Sequence, residues 1–260
     1  MAKRSEEDAA GGTLALDTRV IGHRGAAAYA PENTLAGLRE ARRRGCRWVE
    51  IDVRLTRDAV PVLMHDPALD RTTSGRGELR DHDADTVAGL DAGRWFGETY
   101  RSERPPRLDE ALALLRELGL KANIEIKPTA GSQREKAHVI GRALLADPHR
   151  REVVQLVSSF SEEILAGLRE VAPEIPRGLL LRRPEGDWPA VLRRLRCVSV
   201  HLWHGAVGPQ VIETARREGV KVLVFTVNSP ERARELFALG VDAVITDVPD
   251  RIQEVAATVQ

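Results

Sequence analysis

The sequence predicts a (β/α)8 barrel, the α/β fold class in which eight parallel strands alternate with helices and close into a ring. Short apolar runs rich in β-branched residues recur along the chain with amphipathic segments between most of them, and such alternation implies a parallel sheet. Eight of these units fit within 260 residues, an ordinary length for one barrel. The predicted barrel strands occupy residues 19–23, 47–55, 122–127, 153–159, 177–181, 197–202, 220–227 and 241–247.

Helical patterns fill most of the intervals between these strands, and local signals mark their ends. Ser161, Asn228 and the PENT segment at 31–34 precede apolar periodicity, where capping residues are favoured. Glycines follow the last helical residue of four patterns, where a left-handed cap favours glycine; they are Gly45, Gly119, Gly219 and Gly240. The predicted helices occupy residues 33–44, 109–118, 134–146, 161–171, 188–195, 209–217 and 230–239.

One apolar run, residues 60–66, breaks the alternation, because it follows the second strand too closely for a parallel crossover. It predicts a hairpin that turns near Asp58, with partner numbers that sum to about 116, so that His65 lies opposite Ile51. From there to about Pro106 the chain is rich in Asp, Arg and Gly with little periodicity. We therefore expect a small insertion, at about 57–106, between the second strand and the second helix, above the barrel mouth.

Composition excludes several classes of protein. Lys plus Arg and Asp plus Glu number 39 each, so the net charge is zero, which argues against a nucleic-acid partner. No apolar run approaches the roughly 18–20 residues of a membrane helix, so no stable membrane association is expected. The polar N-terminus has no signal-peptide core, and two distant cysteines do not form a disulfide framework, so we expect a cytoplasmic protein. A disordered or extended leader, 1–18, is expected before a single domain, 19–260; the oligomeric state is not predicted.

Alternation along the predicted strands turns charged side chains toward the barrel interior. Glu50 and Asp52 lie on the face of the second strand opposite Val49, Ile51 and Val53, and the next barrel strand turns Asn123, Glu125 and Lys127 inward. An internal salt-bridge network that merely fills the mouth is one interpretation. However, three inward carboxylates need more positive charge than Lys127 supplies, and oxygen ligands without cysteine favour one Mg²⁺ or Ca²⁺ ion.

Two histidines and two cations are predicted at the same rim. His23 and His65 each end a strand-like run, where barrel chemistry occurs, and two imidazoles can supply a general acid and a general base. Arg24 and Lys127 beside a metal site suit a phosphoryl group, whose developing charge needs neutralising. His201 faces inward by alternation and is expected to line the pocket. The residues alone thus predict a metal-assisted phosphate-ester hydrolase on a barrel.

The motifs resemble those of the glycerophosphodiester phosphodiesterase family, and in particular its cytosolic bacterial members. They come in the family's order over nearly the whole chain from residue 19: HRG (23–25), PENT (31–34), EID (50–52), LTRDAVPVLMHD (55–66), LDRTTSGRG (69–77), IEIKP (124–128), VFTVN (224–228) and ITD (245–247). The resemblance implies a metal site, an acid–base pair and a phosphate site, formed respectively by Glu50, Asp52 and Glu125, by His23 and His65, and by Arg24 and Lys127.

The reaction that this resemblance implies is hydrolysis of glycerophosphodiesters, such as glycerophosphocholine or glycerophosphoethanolamine, to glycerol 3-phosphate and an alcohol. The sequence leaves open which histidine is the acid and whether the nucleophile is water or the 2-hydroxyl of the glycerol. Rival interpretations are a lysophospholipase D-type enzyme acting on lipids and a non-catalytic barrel that binds a phosphodiester. Two residues depart from the family pattern: Ala59 replaces a turn glycine, and Phe225, in the expected substrate pocket, replaces a tryptophan.

Overall fold

The computed structural model describes residues 14–146 and 149–259 as a closed barrel of parallel strands. Its sheet runs in the order β1-β9-β8-β7-β6-β5-β4-β2-β3, and a further pairing of β1 with β2 closes the ring. The strands in chain order, β1 to β9, are Val20–His23, Trp48–Leu55, Pro61–Leu63, Lys121–Ile126, Val154–Ser159, Arg177–Leu181, Ser199–Trp203, Lys221–Phe225 and Ala243–Thr246. The predicted fold class, a barrel with an insertion after its second strand, is confirmed.

The helices between the strands begin and end within two residues of the predicted limits. In chain order, α1 to α10 are Leu35–Arg43, Ala84–Ala88, Leu108–Glu117, Gln133–Leu145, Arg150–Val153, Glu162–Val171, Trp188–Leu195, Pro209–Glu218, Pro230–Leu239 and Pro249–Thr258. The sequence patterns did not predict α2, α5 and α10. Among the caps, Ser161 Oγ accepts from Ile164 N at 3.3 Å, while α9 is capped by Ser229 rather than by Asn228. All four predicted cap glycines have positive φ, between 64° and 94°.

The two faces of each barrel strand carry different cores. On β2, Val49, Ile51 and Val53 are buried against the surrounding helices, as the alternation predicts, while Trp48 faces the interior. The interior cluster occupies the lower part of the barrel and consists of Leu14, Ile21, Trp48, Leu156, Leu223, Ala243 and Ile245. Apolar packing thus fills the N-terminal end of the barrel and leaves charged side chains to its C-terminal end.

Part of the predicted leader packs against the barrel. Residues 14–18 have no regular secondary structure, yet Leu14 is buried in the interior cluster, and Asp17 accepts hydrogen bonds from Trp48 Nε1 at 2.6 Å and Lys121 Nζ at 3.0 Å. Residues 1–13 of that leader lie outside the described residues. The division of the chain at residue 19 stays a prediction.

The insertion begins with the predicted hairpin. Strand β3 is antiparallel to β2, and its pairs, such as Val53 with Leu63, keep the predicted register. Met64 N donates to Asp52 O at 3.0 Å in the same register, which places His65 directly beyond the last pair. The outer side of the hairpin packs on a separate small core of Val62, Met64, Leu69, Leu79 and Val87. The insertion is therefore a packed unit that carries His65 back to the barrel mouth.

None of the helices in the described ranges is both long enough and apolar enough to cross a membrane.

The turn of the hairpin holds Ala59 in the left-handed region, with φ of 60°. A side chain with a Cβ is strained there by about 1–2 kcal/mol, which glycine avoids. We expect Ala59→Gly to raise the free energy of unfolding by about 0.5–1 kcal/mol, because strain relief exceeds the roughly 0.4–1 kcal/mol of added freedom in the unfolded chain. Urea denaturation measures the change.

A matched control is Ala113→Gly, at an exposed position inside α3 with ordinary helical backbone. It is expected to lose about 1 kcal/mol of stability, because glycine is a poor helix former. If both substitutions destabilise the protein equally, the hairpin turn carries no strain.

Candidate active site

The predicted site residues converge on one cavity of about 570 Å³ at the C-terminal ends of the barrel strands. All nine are placed there: Asp52 lies buried directly behind the wall, and the other eight, which line the cavity, are His23, Arg24, Glu50, His65, Glu125, Lys127, His201 and Phe225. The C-terminal ends of parallel strands carry the reactive groups of barrel enzymes. The cavity is therefore the candidate active site.

Three carboxylates form the floor of one side of this cavity. Glu50, Asp52 and Glu125 are only 3%, 1% and 6% exposed, and each offers an oxygen within 4.8 Å of the others. Their proximity follows from sheet register, because β2 and β4 are neighbours and Asp52 pairs with Glu125. The cluster can hold a metal ion.

Two cations, the buried Lys127 and the partly buried Arg24, neutralise part of this acidic cluster. Lys127 Nζ lies 2.5 Å from Glu125 Oε1 and 2.9 Å from Asp52 Oδ1, and Arg24 Nε lies 3.1 Å from Asp52 Oδ2. The salt-bridge network considered from the sequence thus exists for Asp52 and Glu125. Two cations nevertheless leave one of the three carboxylates uncompensated.

Glu50 is the carboxylate of the cluster that forms no ion pair with Lys127 or Arg24. Its Oε2 accepts the backbone N–H of Arg24 at 3.3 Å, but its buried Oε1 has no hydrogen-bond partner among the described residues. Burial, reinforced by the charges of Asp52 and Glu125, raises the pKa of Glu50 well above its usual range. A buried acceptor without a donor is costly, and a divalent cation beside it would relieve both the charge and the missing bond. The donor set therefore fits a bound metal ion.

The third member, Asp52, is held in its charged form. Burial alone would raise the pKa of Asp52, but Lys127 and Arg24 outweigh burial and lower it. The PENT segment adds a clamp: Asn33 Nδ2 donates to Asp52 Oδ2 at 2.8 Å, and Asn33 Oδ1 accepts from Asp52 N at 3.1 Å. Asn33 has a φ of 54°, a left-handed conformation that asparagine tolerates.

His23 is oriented by a carboxylate from the last barrel strand. Its Nδ1 lies 2.6 Å from Asp247 Oδ1, and Asn228 Nδ2 donates to the other oxygen of Asp247 at 2.6 Å. Burial would raise the pKa of Asp247, but the interactions with His23, Asn228 and Arg24 together hold it below its usual range. A carboxylate only accepts, so Nδ1 carries the proton and Nε2 is left to the cavity, 3.9 Å from Glu50 Oε2.

His65 has the same arrangement with a different carboxylate. Its Nδ1 lies 2.6 Å from Asp66 Oδ1, and Arg71 Nε donates to Asp66 Oδ2 at 2.6 Å, which lowers the pKa of Asp66. Partial burial lowers the pKa of His65 and favours its neutral form. Both imidazoles therefore have Nδ1 fixed by an aspartate and Nε2 available to a substrate.

The two halves of the site are joined through the PENT segment. Glu32 accepts from Arg24 Nη1 at 2.7 Å and from Arg71 at 2.8 Å, so it links the acidic cluster to the group that orients His65. Arg71 belongs to the insertion, whereas Arg24 follows β1. The insertion is thereby anchored to the barrel by a charged contact at the site itself.

On the side of the cavity opposite the acidic cluster, the side chains at the base are apolar or uncharged. His201, expected to line the pocket, is fully buried; burial lowers its pKa to about 3, so it is neutral, and its Nε2 lies 3.0 Å from Ser199 Oγ. Phe225 packs edge-to-face on Phe160 with ring centroids 5.9 Å apart. Phe160 and Trp203 are 37% and 42% exposed, and they form an aromatic wall at the mouth together with Phe225.

Several residues of the site were given no role from the sequence. Asp66 and Asp247 belong to the HD and ITD motifs and directly follow strand-like runs, which indicated a position near the site. Nothing in the sequence pattern indicated that they pair with the histidines. Phe160 and Arg183 follow strand ends in the same way, where barrel enzymes carry variable site residues. The remaining residues in this group are Glu32, Asn33, Arg71, Arg182, Trp203 and Asn228.

The cavity of this (β/α)8 barrel is accessible to water and holds two oriented imidazoles, each with a free nitrogen, beside two cations. Such groups can carry out general acid–base hydrolysis. The fold and the site together define the class as a barrel hydrolase.

Comparison with known proteins narrows this class. Residues 23–251 match the model of the glycerophosphoryl diester phosphodiesterase family. A glycerophosphodiester phosphodiesterase of Caldanaerobacter subterraneus is 33% identical over 238 residues, 91% of this chain and 97% of that protein. The structure of an Oleispira antarctica phosphodiesterase in complex with its product sn-glycerol-3-phosphate is 36% identical with a TM-score of 0.88, covering 92% of this chain and 97% of that one. An Agrobacterium tumefaciens glycerophosphodiester phosphodiesterase is 30% identical with a TM-score of 0.76, over 91% and 99% of the two chains.

The chain therefore belongs to the glycerophosphoryl diester phosphodiesterase family, and it is a hydrolase of that family. The resemblance noted in its motifs, including the bacterial affinity, is confirmed.

The acidic cluster generates a prediction about metal binding that does not depend on turnover. At a Mg²⁺ or Ca²⁺ concentration 100 times the Kd, binding adds about 2.7 kcal/mol of stability, or about 5 °C in Tm for a chain of this size. We expect Glu50→Gln to raise Tm in EDTA, because it removes a buried, unpartnered charge, and to abolish most of the metal-induced rise. Differential scanning calorimetry measures both.

Glu117→Gln, an exposed position at the end of α3, is the matched control and should leave both values unchanged. A wild-type Tm that is indifferent to both ions, or a Glu50→Gln variant that keeps the full rise, contradicts this metal site.

Proposed function

We propose that the protein hydrolyses glycerophosphodiesters, such as glycerophosphocholine or glycerophosphoethanolamine, to glycerol 3-phosphate and an alcohol. The observation that carries the proposal is the pair of aspartate-oriented histidines, His23 and His65, facing one cavity beside the acidic cluster. The Oleispira antarctica relative, which covers nearly the same length, holds sn-glycerol-3-phosphate as its product. That product supports a small glycerophosphodiester as the substrate here.

The metal in this proposal is one Mg²⁺ or Ca²⁺ ion, held by Glu50, Asp52 and Glu125. All three ligands are hard carboxylate oxygens, the set that these cations prefer. When bound there, such a cation would supply Lewis-acid polarisation of a phosphoryl oxygen and positive charge beside it. Lys127 and Arg24 keep the cluster compact and contribute positive charge toward the substrate phosphate.

The histidines divide the proton transfers between them. A neutral imidazole with Nδ1–H fixed on aspartate presents the Nε2 lone pair, so one histidine accepts the proton of the nucleophile. The other, protonated at Nε2 and stabilised by its own aspartate, donates to the departing alkoxide. Either water or the 2-hydroxyl of the substrate's glycerol fits as the nucleophile. Each of them needs a base on the side of the phosphorus from which it attacks.

A second candidate substrate is a lysophospholipid, whose hydrolysis would make the protein a lysophospholipase D. The observation in its favour is the aromatic wall, in which Phe160 and Trp203 expose large apolar faces at the mouth where an acyl chain could lie. A non-catalytic barrel that only binds phosphodiesters is a third outcome. The three differ in which products a substrate panel yields.

We also propose that the protein works in the cytoplasm. Both of its cysteines, Cys46 and Cys197, are buried and free, and burial raises the pKa of each thiol to about 12. Unoxidised, inert thiols are typical of proteins that stay in a reducing compartment.

Release of glycerol 3-phosphate tests the proposal directly. We expect the protein to release it from glycerophosphocholine and glycerophosphoethanolamine, with activity lost in EDTA and restored by Mg²⁺ or Ca²⁺. A coupled glycerol-3-phosphate dehydrogenase assay measures the product. Lysophosphatidylcholine serves as the lipid arm: choline released from it faster than from glycerophosphocholine favours the lipid enzyme. Product release that EDTA does not affect contradicts metal dependence, and no release at all supports a binding barrel.

Substitution of the histidines and their aspartates tests the mechanism. His23→Ala and His65→Ala should each lower kcat by about 10²–10⁴, because each removes one proton-transfer step. Asp247→Asn and Asp66→Asn should lower kcat by about 10–100, because the amide lacks the negative charge that stabilises a protonated imidazole and its NH₂ can take the place of the accepting oxygen. Initial rates at saturating substrate give kcat, and circular dichroism confirms folding. His138→Ala, on the outer face of α4, is the matched control with wild-type rates. Near-wild-type activity in either site-histidine variant removes that residue from the mechanism.

A further inference from the structure

The cavity carries a second pair of cations on the wall opposite the histidine of β1. Arg182 and Arg183 directly follow β6, and both line the cavity. In the closed ring, β6 lies four strands from β1 in either direction, so the two strands face each other across the barrel. Arg182 has the same strand parity as Leu180, which also lines the cavity. The pair therefore lies across the mouth from His23 and Arg24.

Arg182 and Arg183 differ from Arg24 and Lys127 because no acidic side chain in the described part of the chain forms an ion pair with them. Arg24 and Lys127 are committed to the acidic cluster, whereas neither Arg182 nor Arg183 makes a side-chain hydrogen bond or ion pair within the described part of the chain. The acidic residues of the same loop do not compensate them. Asp187 accepts from Ala190 N at 3.0 Å as the cap of α7, and neither it nor Glu185 lines the cavity.

A substrate with its phosphate at the acidic cluster and its alcohol extended across the cavity would reach this wall. Two unpaired guanidinium groups repel a quaternary ammonium group and attract an anionic group. Each guanidinium can bind such an anion through two parallel N–H donors. The aromatic wall lies between the two charged regions and suits a carbon skeleton better than a charge. The cavity thus has one pair of cations beside the acidic cluster and another pair at its far side.

We propose that Arg182 and Arg183 form a second anion subsite, which selects glycerophosphodiesters whose alcohol carries a phosphate of its own. This inference rests on the proposed hydrolysis of glycerophosphodiesters and adds the substrate class to it. The arginines are specificity-determining residues that contact the alcohol, and they take no part in the proton transfers.

Two substrates that differ in one phosphate test the subsite: glycerophosphoinositol and glycerophosphoinositol 4-phosphate. We expect the wild type, in low-salt buffer with Mg²⁺, to show a kcat/KM at least about tenfold higher for the phosphorylated substrate. The ratio should fall toward one in 300 mM NaCl, because ionic screening weakens charge–charge attraction. Release of glycerol 3-phosphate is the readout for both.

The double variant Arg182→Gln/Arg183→Gln should bring this ratio to about one, chiefly through KM for the phosphorylated substrate. Because the ratio compares two substrates in the same enzyme, a general loss of activity cancels. Arg39→Gln/Arg42→Gln, at two exposed positions on α1, changes the net charge equally and should keep the ratio of the wild type. Both arginines of the subsite are exposed and unpaired, so the double variant is expected to fold.

The subsite is overturned by a wild-type ratio near one, by a double variant that keeps the preference, or by a preference for glycerophosphocholine over the phosphorylated substrate. Each of these outcomes still shows glycerol 3-phosphate release and leaves the proposed function standing. If no substrate yields glycerol 3-phosphate, the proposed function itself fails.

Discussion

The structure of the site depends on one electrostatic problem: three carboxylates are buried within 4.8 Å of one another at the top of a barrel whose lower part is filled with apolar side chains. Water cannot solvate them there, so the protein must supply positive charge or leave the charge unbalanced. Lys127 and Arg24 balance Asp52 and Glu125, and Glu50 is left over. That leftover charge is the physical basis of the proposed metal site.

From this cluster, ion pairs extend outward to the acid–base groups. Arg24 joins Asp52 to Glu32, Glu32 joins Arg24 to Arg71, and Arg71 holds Asp66 against His65. On the other side, His23 lies between Asp247 and Glu50. The groups proposed to bind a cation, hold phosphate and move protons thus belong to one connected network. Such networks fix side-chain geometry because each member has a partner on both sides.

The parts of this arrangement that follow from periodicity could be predicted from the sequence. Strand alternation turned Glu50, Asp52 and Glu125 inward, and the hairpin register placed His65 beside them, because both depend on local backbone geometry alone. The orienting partners could not be predicted in this way. Asp247 reaches His23, and Asn33 reaches Asp52, only after the barrel has closed and after a left-handed turn has been adopted. Arg183 lies in the loop two residues beyond the end of β6, where no period indicates the direction of a side chain.

The hairpin has a consequence for how such an enzyme can change. His23 is fixed by a barrel strand, whereas His65 comes from a unit with its own small core. That unit contacts the barrel through a short antiparallel pair, the Glu32–Arg71 bridge and hydrogen bonds such as Arg54 Nε to His65 O at 2.8 Å. The spacing of the two imidazoles is therefore set by how this unit docks. Substitutions in its core, away from the cavity, can alter that spacing while the barrel and its acidic cluster stay intact. The chemistry can thus be adjusted from a part of the protein that is free to vary independently of the fold.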